Sequence, residues 1–211
     1  MALTEPFDRY TERYDDWFER HEPVYRSELR ALQQFVDADA FGLEIGVGSG
    51  QFADPLDVDV GIDPSREMIA RARDRGIEVV LGVAERLPIA DDRFDVAVLV
   101  TTICFVDDVT ATLTEAARVL ASDGRLVMGY IDRESPVGRI YQEMQDENPF
   151  YRDATFVSTD ELLAEMEAIG YRDVDVVQTV FQSPDEMTTV DRVESGYGDG
   201  SFVALSARPP A

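Results

Sequence analysis

The chain has 211 residues, 45% of them apolar, enough for one α/β domain with a sizeable core. Its 43 acidic residues face only 19 basic ones, all of them arginine, and the excess is spread over every segment. That balance argues against nucleic-acid partners, which need basic patches for phosphate. It points instead to a halophile, whose dispersed carboxylates keep a protein hydrated where salt cuts the screening length to about 3 Å. One cysteine, Cys104, rules out an internal disulfide and a cysteine-rich metal site, and one histidine, His21, argues against a histidine-based zinc site; no metal is expected. No apolar run reaches the length of a membrane span, and Met1 to Tyr10 has neither a basic start nor an apolar core, so a cytoplasmic protein is expected.

In chain order, residues 6–39 read as two helices. Phe7, Tyr10, Tyr14, Trp17 and Phe18 recur mostly at spacings of three and four, and Pro23 starts a second run with Tyr25, Leu29, Leu32 and Val36. Strands are expected at 40–45, 58–62, 78–82, 95–101, 125–131, 173–181 and 201–207. Helices fall between most of them, at 65–75, 108–121 and 159–169, with a brief one between Gln51 and Asp57. This alternation predicts a seven-stranded, mostly parallel sheet with helices on both faces. The glycine-rich turn Ser195–Gly200 should lead a last strand back as an antiparallel hairpin. Residues 132–157 interrupt the rhythm with a polar helix at 137–147. That insertion follows a strand's carboxyl end, the edge where open α/β sheets bind ligands. One domain is expected, with N-terminal helices at 6–39, a core at 40–131, the insertion as a lid at 132–157, and a C-terminal part at 158–211.

The chemistry concentrates at strand ends. Glu44-Ile-Gly-Val-Gly-Ser-Gly50 closes the first strand with Gly46, Gly48 and Gly50, where a ligand can lie against main chain. The sixth position of the dinucleotide fingerprint is Gln51 where glycine is needed, which argues against a nicotinamide-dependent Rossmann protein. Asp63, with Pro64 beside it, closes the second strand. Its carboxylate can accept both hydroxyls of a ribose, or it or Ser65 can cap the following helix. Thr101 to Phe105 ends the fourth strand, and its hydroxyls either contact ligand or satisfy loop backbone. Cys104 reads as a small apolar residue. The arginines 66, 71, 73 and 75 read as a solvated helix face.

The pattern acidic-Ile-Gly-x-Gly-x-Gly at 44–50 resembles the first motif of class I S-adenosylmethionine-dependent methyltransferases. Ala84-Glu-Arg-Leu-Pro88 followed by Phe94-Asp95 resembles their small-molecule, type 11-like branch. The likeness covers roughly residues 40–130, and Tyr14-Asp-Asp-Trp-Phe18 is similar to the family's leading helix, which folds over the cofactor. Thr101–Asp108 and Gly196–Gly200 resemble a bacterial and archaeal subgroup. The resemblance implies S-adenosylmethionine as cofactor, a Rossmann-like fold and in-line methyl transfer to a small-molecule acceptor. It also implies cofactor contacts from Tyr14, Glu44, Gly46, Gly48, Gly50, Asp63, Pro64, Ala84, Glu85 and Thr101. The family's acidic adenine contact would fall at Val83, which leaves that task to main chain at Ala84 and to Glu85, itself equally readable as a solvated carboxylate. His21, Tyr130 and Asp132 are candidate general bases, and Tyr141, Phe150, Tyr151 and Phe156 candidate acceptor lining. A non-catalytic cofactor-binding protein would carry the same motifs.

Overall fold

The computed structural model describes residues 4–210 and opens with three helices, α1 (Glu5–Arg9), α2 (Thr11–Arg20) and α3 (Glu22–Leu32). Two were expected. Tyr10 and His21 leave helical geometry, with ψ of 32° and 39°, and break the segment twice. Pro23 sits in the first turn of α3, where the missing N–H has no helical acceptor to lose.

The strands are β1 (Gly42–Ile45), β2 (Val60–Asp63), β3 (Glu78–Leu81), β4 (Phe94–Val100), β5 (Leu120–Ile131), β6 (Arg172–Thr179), β7 (Glu194–Ser195) and β8 (Phe202–Arg208). Between them lie α4 (Arg66–Asp74), α5 (Val109–Val119), α6 (Pro136–Glu143) and α7 (Thr159–Ile169). The sheet order is β3-β2-β1-β4-β5-β8-β6-β7. Strands β1 to β5 pair in parallel, and β8 runs antiparallel to both β5 and β6. The last strand thus returns as expected but inserts between β5 and β6. An eighth strand was not expected. It is the two-residue β7, which pairs with Val177 and Gln178 at the edge. The brief helix expected at 51–57 is a run of turns: Pro55 has no N–H to give, and Asp57 takes a positive φ of 55°.

Helices cover both faces because the central strands are apolar on both. In β4, Val96, Val98 and Val100 pack with Phe18, Leu29 and Leu32 of the N-terminal helices, whereas Ala97 and Leu99 pack with Leu113 of α5 and Leu162 of α7. Caps fix where the helices start. Ser65, Asp108 and Ser135 each accept a backbone N–H at the start of α4, α5 and α6, and α7 has a reciprocal capping box between Ser158 and Glu161. The strand order reverses between β1 and β4, which opens a crevice at their carboxyl ends.

Candidate active site

The turn after β1 is tied to β2, because the N–H groups of Gly46 and Val47 both donate to Ile62 O, at 2.7 and 2.9 Å. At Gly46 a Cβ would fall 2.2 Å from Thr102 Oγ1, so the strand-four loop closes on bare backbone there. Gly48 has a φ of +53°, and a Cβ on it would point toward Tyr14 Oη at 3.4 Å, an ordinary contact distance. Gly50 packs away from the crevice, where a Cβ would meet Ile77 Cδ1 at 2.6 Å. The three glycines therefore do different work: Gly46 and Gly48 border a cavity, and Gly50 seats the turn on α4 and the loop that follows it.

Asp63 holds the turn from the neighbouring strand. Its Oδ2 accepts from Gly48 N at 2.9 Å and its Oδ1 from Ser65 N at 2.8 Å, which leaves each oxygen a further lone pair. Ser65, not Asp63, caps α4 through Met68 N. Burial pushes the Asp63 carboxyl up to about 6, against the pull of those two N–H donors. Glu44, 1% exposed, is held well above the usual carboxylate range by burial and by Asp63. Its Oε2 is buried without a hydrogen-bond partner among the described residues.

One cavity is walled by Tyr14, Gly46, Gly48, Asp63, Pro64, Ala84, Glu85 and Thr101. Eight of the ten residues expected to touch cofactor thus converge. Glu44 and Gly50 stand outside this wall. Thr101 carries a positive φ of 50°, with its N–H bonded to Gly129 O; such strain in a residue other than glycine persists only where its surroundings enforce it. Glu85 Oε1 accepts from Asp107 N at 2.7 Å, which joins the loop after β3 to the loop after β4.

The N-terminal helices are pinned over this cavity by polar contacts. Asp15 accepts from Ser49 Oγ (2.5 Å), Gln51 Nε2 (3.0 Å) and Arg71 Nη1 (2.8 Å). Asp8 accepts from Ser65 Oγ at 2.6 Å, and Tyr25 Oη donates to Gln51 O. Gln51, which breaks the dinucleotide fingerprint, is thus a docking point for α2. The arginine cluster divides as well: Arg71 pairs with Asp15 and Arg75 Nε donates to Ser49 O at 2.9 Å, whereas Arg66 and Arg73 are exposed.

A second cavity, of about 330 Å³, adjoins the first, and Phe7, Tyr14, Thr101 and Phe105 border both. Its walls are aromatic. Trp17 and Phe18 come from α2, Tyr141 from α6, and Phe150, Tyr151 and Phe156 from the segment after it. Tyr141 stacks on Tyr151 with centroids 4.6 Å apart. His21 also lines it, stacked on Trp17, with Nδ1 donating to Trp17 O at 3.0 Å and Nε2 3.3 Å from Asp185 Oδ1. Tyr130 lines it too, and burial raises its phenol above the usual range while its hydroxyl donates to Thr159 Oγ1 at 3.1 Å. Asp132 does not reach the cavity. Its oxygens accept from Glu134 N, Thr159 N and Thr159 Oγ1, so it anchors the insertion to α7 and is withdrawn from the base candidates. Cys104 sits in the wall with its thiol pushed up to about 12 by burial, which keeps it protonated.

Among the wall residues that were not expected, an acid stands out. Glu28 of α3 is 3% exposed, and its sequence surroundings read only as a helix face. The signal that was available is spacing: Glu28 stands four residues after Val24 and four before Leu32, and Val24, Leu29 and Leu32 are all core, so an acid falls within an apolar stripe.

Residues 43–128 match a family described as a methyltransferase domain. A crystal structure of an S-adenosylmethionine-dependent methyltransferase from Thermotoga maritima, described as a possible histamine N-methyltransferase, is 44% identical. It superposes with a TM-score of 0.92 over 96% of this chain and 97% of that one. A protein of Methanocaldococcus jannaschii, MJ1123, is 40% identical over 95% of this chain and 97% of its own length. An S-adenosylmethionine-dependent methyltransferase from Archaeoglobus fulgidus shares the fold at 16% identity, with a TM-score of 0.74 over 95% of this chain and 100% of that one. The chain belongs to the S-adenosylmethionine-dependent methyltransferases, and S-adenosylmethionine is the cofactor that family and fold imply. The residues present fit that cofactor: Asp63 keeps a further lone pair on each oxygen at the cavity wall, and one buried oxygen of Glu44 lacks a partner among the described residues. Among the described residues, no helix is long and apolar enough to cross a membrane.

Proposed function

We propose that the chain transfers a methyl group to a small-molecule acceptor held in the aromatic cavity. The observation that carries this reading is the meeting of the two cavities at Phe7, Tyr14, Thr101 and Phe105. Main chain at Gly46 and Gly48 would meet the methionine end and the adenosine, Asp63 the ribose hydroxyls, and Pro64, Ala84 and Glu85 the adenine side. Thr101 and Tyr14 would stand where cofactor gives way to acceptor. Gly50 supports this set by seating the turn, and Glu44 acts on the cofactor's amino group through its field. S-adenosylmethionine supplies a methyl group already activated on a cationic sulfur. The protein's own task is therefore alignment and the exclusion of water, which alone can account for much of the acceleration. The N-terminal helices and residues 132–157 serve as the cover, within one methyltransferase domain spanning the chain.

The test is a screen of small-molecule extracts with labelled S-adenosylmethionine and purified protein. Transfer of label to a small molecule supports the reading; tight binding of S-adenosylhomocysteine with no transfer to any acceptor would make the chain a cofactor-binding protein without catalysis.

The net charge of −24 supports two further parts of the proposal, a salt-filled cytoplasm as the working environment and no nucleic-acid substrate. Melting temperature should climb from about 0.05 to about 3 M KCl as screening shortens the reach of self-repulsion. A flat profile would remove the halophile reading.

A further inference from the structure

Glu28 is a buried carboxylate in an aromatic cavity with nothing to bind. It is 3% exposed and forms no hydrogen bond or ion pair with any described residue. The two arginines of the same wall are engaged elsewhere: Arg13 lies over the Phe150 ring at 5.8 Å, and Arg20 Nε donates to Asp16 O. Burial alone pushes the Glu28 carboxyl up to about 8, with no neighbouring charge or donor acting on it. Such a group is costly to the fold, because buried charges are normally paired. Apolar residues flank it on α3, and a leucine or methionine would fill the same position without that cost. Its field reaches Tyr14, Tyr141 and Tyr151, which belong to three separate parts of the wall.

We propose that Glu28 is the recognition group for the methyl acceptor, and that the acceptor is a small primary or secondary amine with an aromatic or apolar body. This rests on the reading of the aromatic cavity as the acceptor site. An ammonium nitrogen supplies the counter-charge that Glu28 lacks, and aromatic faces such as Trp17, Tyr141 and Tyr151 attract a cation as well as an apolar body. An anionic acceptor brings no counter-charge and can only oppose ionisation of Glu28. An amine must also lose a proton before its nitrogen can act as a nucleophile. Glu28 can take it: the N–H bond breaks, an O–H bond forms on Glu28, and two opposite charges become two neutral groups. A carboxyl near 8 is closer to an amine in proton affinity than an ordinary one.

The experiment is calorimetric titration of the full chain, saturated with S-adenosylhomocysteine, against matched probes. Phenethylamine, tryptamine and cyclohexylethylamine are compared with the corresponding alcohols, with 4-ethylphenol and with phenylacetate. At least one amine should bind about tenfold or more tighter than its alcohol, and phenylacetate should bind weakest. Glu28→Gln should erase the preference for amine over alcohol while leaving alcohol and S-adenosylhomocysteine affinities in place. Glu28→Leu should do the same and melt no lower than wild type, which separates lost recognition from lost fold. The proposal is overturned if alcohol, phenol or acid binds as well as the amine. Retention of the amine preference by Glu28→Gln overturns it too, as does the failure of every amine to bind at about 10 mM. If S-adenosylhomocysteine itself fails to bind the wild type, the cofactor reading falls first, and that arm is measured separately.

Discussion

The two cavities share four residues yet are built by opposite means. The first is made where strands end: a turn tied to Ile62 O, a carboxylate fixed by two N–H groups, and a strained Thr101. Its polar groups are held by main chain and have little freedom to move. The second is made from side chains on α2, α3, α6 and the loop after α6, packed ring against ring, with one unpaired acid. Main chain can hold the same cofactor with varied side chains, whereas an aromatic pocket can be recut for a new acceptor without disturbing the sheet. On the proposed function, the difference separates the cavity that would carry the family's common chemistry from the one that would set this chain's acceptor.

The largest test of that contrast is Gly48→Val. The φ of +53° disfavours a branched residue, and its side chain would enter the space between the turn and Tyr14. Binding of S-adenosylhomocysteine should fall by about a hundredfold or more, close to 3 kcal/mol, as read by calorimetry. Gly50→Ala should behave differently. It strikes Ile77 Cδ1 at 2.6 Å, so melting temperature should drop and affinity should follow only through the fold. Equal effects of the two changes on affinity at matched stability would blur the distinction.

Glu28→Gln probes the second cavity through stability. The folded protein holds a proton on Glu28 up to about 8, against 4.5 for an ordinary glutamate, so folding takes up a proton between those values. The stability of the wild type is therefore full below about pH 4.5 and declines as pH rises toward 8, by on the order of a few kcal/mol from this group. Glu28→Gln should remove that part of the slope, so its advantage over wild type should grow from about pH 5 to about pH 9 in urea titrations. Parallel curves for the two proteins would show that Glu28 is solvated in the folded state.

Asp63→Ala returns to the first cavity. Charge-assisted bonds to ribose are worth about 1.5–3 kcal/mol each, so cofactor-product affinity should fall at least roughly tenfold. A 2′-deoxy analogue should bind wild type poorly and lose little more in the variant. With its carboxyl pushed up to about 6, wild-type affinity should weaken as pH falls through that value, and Asp63→Asn should lack this step. If the analogue loses equal affinity with both proteins, Asp63 only holds the turn.

The smallest effect is expected at the joint between the regions. Asp15→Ala removes the acceptor for Ser49, Gln51 and Arg71, at a site where Arg71 is more than a third exposed. A loss of about 1 kcal/mol in stability is expected, with cofactor affinity lower by severalfold. Unchanged affinity would mean that the N-terminal helices cover the cofactor without helping to hold it.

Much of the fold and of the first cavity's wall was legible from sequence because strand-end chemistry is local. Apolar runs mark β1 to β5, and the residues following each run are the ones that face the crevice. Gly46, Gly48, Asp63, Ala84 and Thr101 are therefore found by reading to the end of a strand. Eight strands in place of seven, and turns in place of a helix at 51–57, are boundary effects set by edge pairing and by Pro55 and Asp57. Asp132 was misread for a different reason. Its position after β5 is that of a catalytic group, but the N-terminus of α7, far along the chain, claims Oδ2 through Thr159, and Glu134 N claims Oδ1.

By itself, then, the sequence determined the class of fold, the cofactor and most of the residues that line the first cavity, since hydrophobic period and glycine spacing act over a few residues. Only tertiary structure decided that Gln51 docks α2, that Gly50 faces the core, and that Glu28 looks into the aromatic cavity. Those outcomes depend on which distant side chains arrive opposite, and no local pattern encodes whether a buried acid will meet a partner or be left without one.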